Sequence, residues 1–179
     1  MLYRIRAVSD EVDDFRRDIL IDSESTFLDL RNILCQSCDF ETDQMSSFFI
    51  CDEKWEKEKE ITLEDMGADM MKDIYLMSDT HLSELIEDVG QKLLFTFDYF
   101  GDRSLFLQVK DEEFGRDLDK PECIDSRGEA PLQFAPLDDM DATNSAHAST
   151  ASSFDLDEDF EGSSDYNEEE ISDYDELDY

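Results

Sequence analysis

Residues 93–109 read Leu-Leu-Phe-Thr-Phe-Asp-Tyr-Phe-Gly-Asp-Arg-Ser-Leu-Phe-Leu-Gln-Val. Leu93, Phe95, Phe97 and Tyr99 alternate with Leu94, Thr96 and Asp98, the period of two that marks a strand with one face in a core. Phe100-Gly101-Asp102-Arg103 supplies the Gly and Asp that a tight turn requires. Leu105, Phe106, Leu107 and Val109 then start a second strand. This antiparallel pair sets the class of the fold, and the rest of the chain is read around it.

Upstream, the chain opens with a similar pair. Tyr3, Ile5 and Ala7 alternate with Arg4 and Arg6, and Phe15, Ile19 and Ile21 alternate with Arg16, Asp18 and Leu20. The acidic link 9–14 predicts a hairpin loop. Thr26 and Asp29 stand at capping-box spacing. Phe27, Leu30, Ile33, Leu34 and Cys38 then fall on one helical face. Phe48-Phe49-Ile50-Cys51 reads as a short strand, and 52–60 as a charged, solvated stretch around Trp55. Thr62 and Asp65 repeat the capping spacing and predict a further short helix. Residues 73–77 suit an edge strand. A helix over 81–89 would bury Leu82, Leu85, Ile86 and Val89 and stop at Gly90. After Asp111 the apolar period fades, and Pro121, Cys123 and Pro131 look like anchors of a wrapping segment.

This order predicts an α+β fold: a mostly antiparallel sheet with one principal helix packed on a face. The opening hairpin and helix suggest a β-grasp-like start. Residues 1–110 form the folded core in this reading, 111–135 an extended segment wrapping it, and 136–179 a disordered acidic tail.

Charge supports that division. The 179 residues carry 50 Asp and Glu against 15 Lys and Arg, a formal charge of −35. Residues 136–179 hold sixteen of the acids and no Lys or Arg. Self-repulsion and scarce apolar area predict disorder there. Such a chain lacks the basic face that displaces counterions from phosphate, so direct nucleic-acid binding is not expected. An anionic membrane would repel it as well. With no long apolar stretch and no signal-peptide pattern at the start, a cytoplasmic protein is expected, with reduced thiols.

Several quoted stretches resemble a known family. They are the opening strand pair ending near Ile21-Asp22, Thr26-Phe27-Leu28-Asp29-Leu30, Ser47-Phe48-Phe49-Ile50 and Ile61-Thr62-Leu63-Glu64-Asp65-Met66. To these are added Leu94 through Asp102 and Asp119-Lys120-Pro121-Glu122-Cys123. Together they resemble the plasmid pRiA4b ORF-3-like proteins over residues 1–132. The resemblance implies an α+β domain of bacterial or archaeal type, found on plasmids and mobile elements, without an established activity. One extra residue separates Asp98 from Gly101, and no Trp follows Asp102. The second Cys that many members carry after Pro-x-Cys is missing, so the resemblance implies no metal or thiol chemistry on that pair.

Candidate sites are few. Cys35-x-x-Cys38 falls near the C-terminal end of the predicted helix, where the dipole raises rather than lowers a thiol pKa. Zinc would need two more ligands, which only Cys51 and Cys123 could supply through the fold. Buried structural cysteine is the plainer reading. Asp98 and Asp102 could hold a metal or act as acid and base, although a turn needs the same residues. His81 reads as a surface residue at a helix start, and His147 lies in the tail. Trp55 either packs on the domain or anchors an interface. Asp155-x-Asp157-x-Asp159 begins like an EF-hand loop, but Phe160 and Tyr166 occupy the positions of its Gly and Glu. Only weak divalent-cation binding is expected of that cluster.

The tail is the most informative feature. Phe154, Phe160, Tyr166, Ile171, Tyr174, Leu177 and Tyr179 are spaced through Asp and Glu. Acid spacers keep such a segment extended, and its aromatics can dock on a basic, apolar groove. Leu177-Asp178-Tyr179 loosely resembles the acidic, aromatic tip of bacterial single-stranded-DNA-binding proteins. A solvated tail with incidental aromatics is the competing reading. The expectation is a non-enzymatic interaction protein without a cofactor. Its partner would be a basic protein such as a nucleic-acid-binding protein. The alternative is a metal-dependent hydrolase or nuclease-like enzyme built on clustered carboxylates, with Asp98, Asp102 and Cys123 at its site.

Overall fold

The computed structural model describes residues 1–65, 67 and 75–134. Within them, the opening pair is β1 (Leu2–Val8) and β2 (Arg16–Asp22), joined antiparallel with Ile5 opposite Ile19 and Arg6 opposite Asp18. Helix α1 (Phe27–Cys38) follows. The Thr26 side chain accepts from the Asp29 N–H at 3.2 Å, and the Asp29 carboxylate accepts from the Thr26 N–H at 2.9 Å. The expected capping box is therefore complete. The helix ends at Asp39, whose φ of 55° turns the chain away.

Next come β3 (Ser47–Cys51), β4 (Lys57–Thr62), β5 (Tyr75–Leu76) and the one-turn helix α2 (Leu82–Leu85). The hairpin read from 93–109 is β6 (Lys92–Asp98) and β7 (Arg103–Glu113), and β8 (Glu122–Arg127) completes the set. All strands join one sheet in the order β5-β4-β3-β6-β7-β1-β2-β8. Every pairing is antiparallel except β4 with β5.

One face of this sheet carries the core. Ile5, Ile19, Phe48, Leu93, Phe95 and Leu107 meet Phe27, Leu30 and Leu34 of α1. The Phe48 ring stands between those of Phe27 and Phe95, with centroids 5.5 and 4.8 Å away. Met77 and Thr80 carbonyls accept the first free N–H groups of α1, those of Leu28 and Phe27. They satisfy donors that a helix start otherwise leaves open. The other face carries charge on β1 and β2. Arg6 grips Asp18 through two bonds of 2.7 and 2.8 Å, Arg4 reaches Glu113 at 3.2 Å, and Arg16 pairs with Asp125.

The structure departs from the sequence reading in four places. Residues 57–60, read as part of a solvated stretch, belong to β4, where Ile61 alone is buried. Residues 111–127, read as wrapping the core, extend the sheet: β7 runs to Glu113, and β8 pairs with β2. Only 128–134 behave as a strap. There the Gln133 amide exchanges hydrogen bonds with the Glu41 backbone at 2.7 and 3.0 Å. Helix α2 stops at Leu85 because Ile86 is extended, which leaves Val89 half-exposed. Thr62 ends β4 rather than capping a helix, and most of that expected helix lies outside the described residues, as does 136–179.

Candidate functional site

The signature at 98–103 builds a tightly braced turn. Asp98 closes β6, and its Oδ1 accepts the N–H groups of Phe100 and Gly101 at 3.0 and 3.1 Å. A Cβ on Gly101 would sit 2.8 Å from Asp98 Oδ2 and 2.9 Å from Arg103 Cδ, so any other residue there must displace these two side chains. Asp102 takes a φ of 49°. The turn lifts the Phe100 side chain almost wholly into solvent, at 98 % exposure. Tyr99 folds back instead. Its hydroxyl bonds Ser47, which donates to Glu60 at 2.9 Å, and burial pushes the phenol pKa up.

Arg103 gathers the surrounding segments. Its Nε and Nη2 clasp the Glu11 carboxylate of the β1–β2 loop at 2.8 and 2.7 Å. Its Nη groups also donate to the carbonyls of Leu132 and Gln133 on the strap. Asp98 lies 3.6 Å away, and the guanidinium stacks 5.0 Å from the Phe97 ring. The hydrogen bond to Glu11 is the main reason its pKa is raised. Loop, turn and strap are thus held together at one end of the sheet. The adjoining groove, of about 200 Å³, is lined by Asp10, Lys57, Leu94, Ser104 and Phe106 as well as Arg103.

The structure engages Asp98 and Asp102 with separate partners. Asp98 is engaged by the turn and Arg103, whereas Asp102 is exposed and meets Lys57 at 3.3 Å. Cys123 stands on β8, four strands along from β6, about 19 Å at the usual spacing. Among the described residues no three His, Cys, Asp or Glu side chains are placed to hold a metal ion.

The four cysteines are free thiols. Cys35 and Cys38 lie on the buried face of α1, and burial pushes Cys38 up to about 11. Cys51 and Cys123 are also raised by burial. His81 caps α2 from the surface and bonds the Glu24 carbonyl at 2.6 Å. Trp55 packs edge-on against Phe106, 5.0 Å between centroids, with Lys92 over its ring. The tail residues Phe154, Phe160, Tyr166, Tyr174, Leu177 and Tyr179 lie outside the described residues.

Sequence reading missed Arg103, Arg17 and Arg31. Arg17 is 5 % exposed and donates to the carbonyls of Arg16, Ser37, Arg127 and Gly128. Arg31, 3 % exposed, donates to Ser46 and to the carbonyls of Thr42 and Gln44. Both bind mainly backbone oxygens, which leave no mark in a sequence.

No helix among the described residues is long and apolar enough to cross a membrane. No curated protein matches the chain. Its fold is similar to the crystal structure of a protein of unknown function from Methanosarcina mazei Go1. The two align with a TM-score of 0.56 and 17 % identity, over 73 % of this chain and 71 % of that one. The family model for the plasmid pRiA4b ORF-3-like protein matches residues 4–133, spanning the described sheet, its helices and the strap. The chain therefore belongs to the plasmid pRiA4b ORF-3-like family.

Proposed function

We propose that this is a non-enzymatic interaction protein whose acidic, aromatic segment, residues 136–179, binds a basic protein surface in the cytoplasm. The observation that carries the reading is the segment's composition. Sixteen acids without a single Lys or Arg separate Phe154, Phe160, Tyr166, Tyr174, Leu177 and Tyr179. Charge draws a basic partner in, and burial of the rings holds it. The folded domain is a poor alternative receptor. Residues 1–135 themselves carry 34 acids against 15 bases. Seven of the eight arginines are already held by acids or carbonyls: Arg4, Arg6, Arg16, Arg17, Arg31, Arg103 and Arg116. That balance favours complementary charge on another molecule. A protein that binds nucleic acid offers it, with a phosphate site that the acidic segment would occupy in place of the nucleic acid.

The test compares affinity capture from a native lysate by the full chain and by a chain ending at Ala135. A third bait replaces Phe154, Phe160, Tyr174 and Tyr179 by Ser while keeping every charge. The expected result is a partner held by the full chain at low salt. It should be lost on truncation, weakened by the Ser variant, and released steeply as salt rises. A partner retained equally by all three baits overturns the reading.

A further inference from the structure

The turn between β6 and β7 holds a bulky apolar side chain out in water, where a turn needs none. Phe100 is almost wholly exposed, yet the backbone that carries it is fixed, because Asp98 accepts the Phe100 and Gly101 N–H groups. Two more exposed apolar residues belong to the same end of the sheet. Leu132 and Phe134 are 67 % and 54 % exposed on the strap. Arg103 ties the two segments together, since it follows the turn directly and donates to the Leu132 and Gln133 carbonyls. Single exposed apolar residues are ordinary on a protein surface, whereas several on adjoining segments mark a contact surface. Turn and strap are braced before anything binds, so covering these residues costs little ordering entropy.

Charge selects what covers them. Asp10, Glu11 and Asp102 line the groove beside Arg103. Glu41 is exposed, and its backbone bonds Gln133, which stands between the two exposed strap residues. The nearby bases are already engaged, Arg103 by Glu11 and Lys57 by Asp102. A second copy of this chain would set the same acids against these, and like charges across an interface repel. The acidic segment 136–179 also begins two residues after Phe134.

We propose that the basic protein drawn by that segment docks on Phe100, Leu132 and Phe134 through an apolar pocket rimmed by Lys or Arg. The inference rests on the function proposed above and gives the same partner a second contact. Cations on the pocket rim would pair with Asp102 and Glu41 and stack on the Phe100 ring. Two contacts carried by one chain hold a partner more tightly than either does, because the first keeps the second close.

Site-specific photo-crosslinking of the full chain in native lysate at low salt tests the proposal. Phe100 is replaced by p-benzoylphenylalanine, which keeps a ring at a position that buries almost nothing. A control carries the same group in place of Phe114, 74 % exposed at the far end of β7, about 30 Å along the strand. Light should join position 100 to a protein of isoelectric point above about 9. Position 114 should give at least about tenfold less product. Leu132→Ser with Phe134→Ser should lower the yield at position 100 about tenfold, with circular dichroism showing the variant folded. No adduct at position 100 overturns the proposal. So do equal adducts at the two positions, an adduct with an acidic protein or a second copy, or a yield indifferent to the two Ser substitutions. The two readings fail separately. A basic partner captured through 136–179 but never joined at position 100 overturns this docking alone. An adduct at position 100 that keeps its full yield when Phe154, Phe160, Tyr174 and Tyr179 are changed to Ser supports the docking and overturns the role of the acidic segment.

Discussion

Replacing Arg103 by Met should loosen the end of the sheet where the β1–β2 loop, the β6–β7 turn and the strap meet. The Arg103 side chain is 15 % exposed and that of Glu11 34 %. Because Glu11 can rehydrate when released, the clasp contributes only about 1 kcal/mol despite its two-bond geometry. The Leu132 and Gln133 carbonyls lie on a surface strap, and losing both bonds costs about 1–2 kcal/mol. Stacking on Phe97 adds about 0.5–1 kcal/mol. The sum is about 3 kcal/mol, with coupling among the parts. Lys keeps the charge over the ring but not the planar fork, so Arg103→Lys should lose about half of that. Urea unfolding followed by circular dichroism measures both. A cycle with Glu11→Gln should give a coupling of about 1 kcal/mol, and amide exchange should quicken across 128–134. An Arg103→Met chain within about 0.5 kcal/mol of the parent, or a Lys variant as stable as the parent, would refute this account of the anchor.

Two further outcomes follow from single contacts. Asp18 is buried against Arg6, and the hydrogen bond from that guanidinium holds its carboxyl below the usual range. The contribution is present above the unfolded carboxylate pKa of about 4 and is lost as pH falls through the lower folded value. Asp18→Asn should thus cost about 1–2 kcal/mol near neutrality, Arg6 being a third exposed, and flatten the acid limb of a stability–pH curve. An unchanged acid limb would dismiss the pair as a source of stability. Gly128 has a φ of 67°, and a Cβ there would stand 2.6 Å from the Asp14 carbonyl oxygen. Gly128→Ala should cost about 2–3 kcal/mol in urea unfolding, because backbone rather than a flexible side chain must yield. A loss under about 0.5 kcal/mol would show that the strap moves away freely.

Legibility of the fold in the sequence followed burial. In β6 the alternation of Leu93, Phe95 and Phe97 is strong because neighbours on both sides carry its core face onward. The capping box of α1 was readable because its partners sit three residues apart. Strand β4 was missed because Lys57-Glu58-Lys59-Glu60 is exposed along its length and only Ile61 reaches the core. Strand β8 was missed for the same reason, with Cys123 its single half-buried contact. At the turn, Asp98, Gly101 and Asp102 could be picked out, but not whether they serve a metal or a brace. The brace itself, Arg103, bonds Glu11 from 92 positions away, which leaves no local mark.

The charges that hid β4 and β8 also act at the sheet edge. A charged edge strand is the ordinary guard against pairing with another chain. Glu122 and Arg127 fit that role, since both are exposed at the ends of β8. The strand carries a second guard in its shape. Ile124 is an extra residue between the pairs of Asp18 with Asp125 and Ile19 with Cys123, and such a bulge twists an edge away from regular pairing. The two guards can be separated. Replacing Glu122 and Arg127 by Thr removes the charge and keeps the bulge, so a concentration-dependent rise in mass by sedimentation equilibrium would show that charge does the guarding. A Thr variant that stays monomeric at every concentration would refute a guarding role for those two charges.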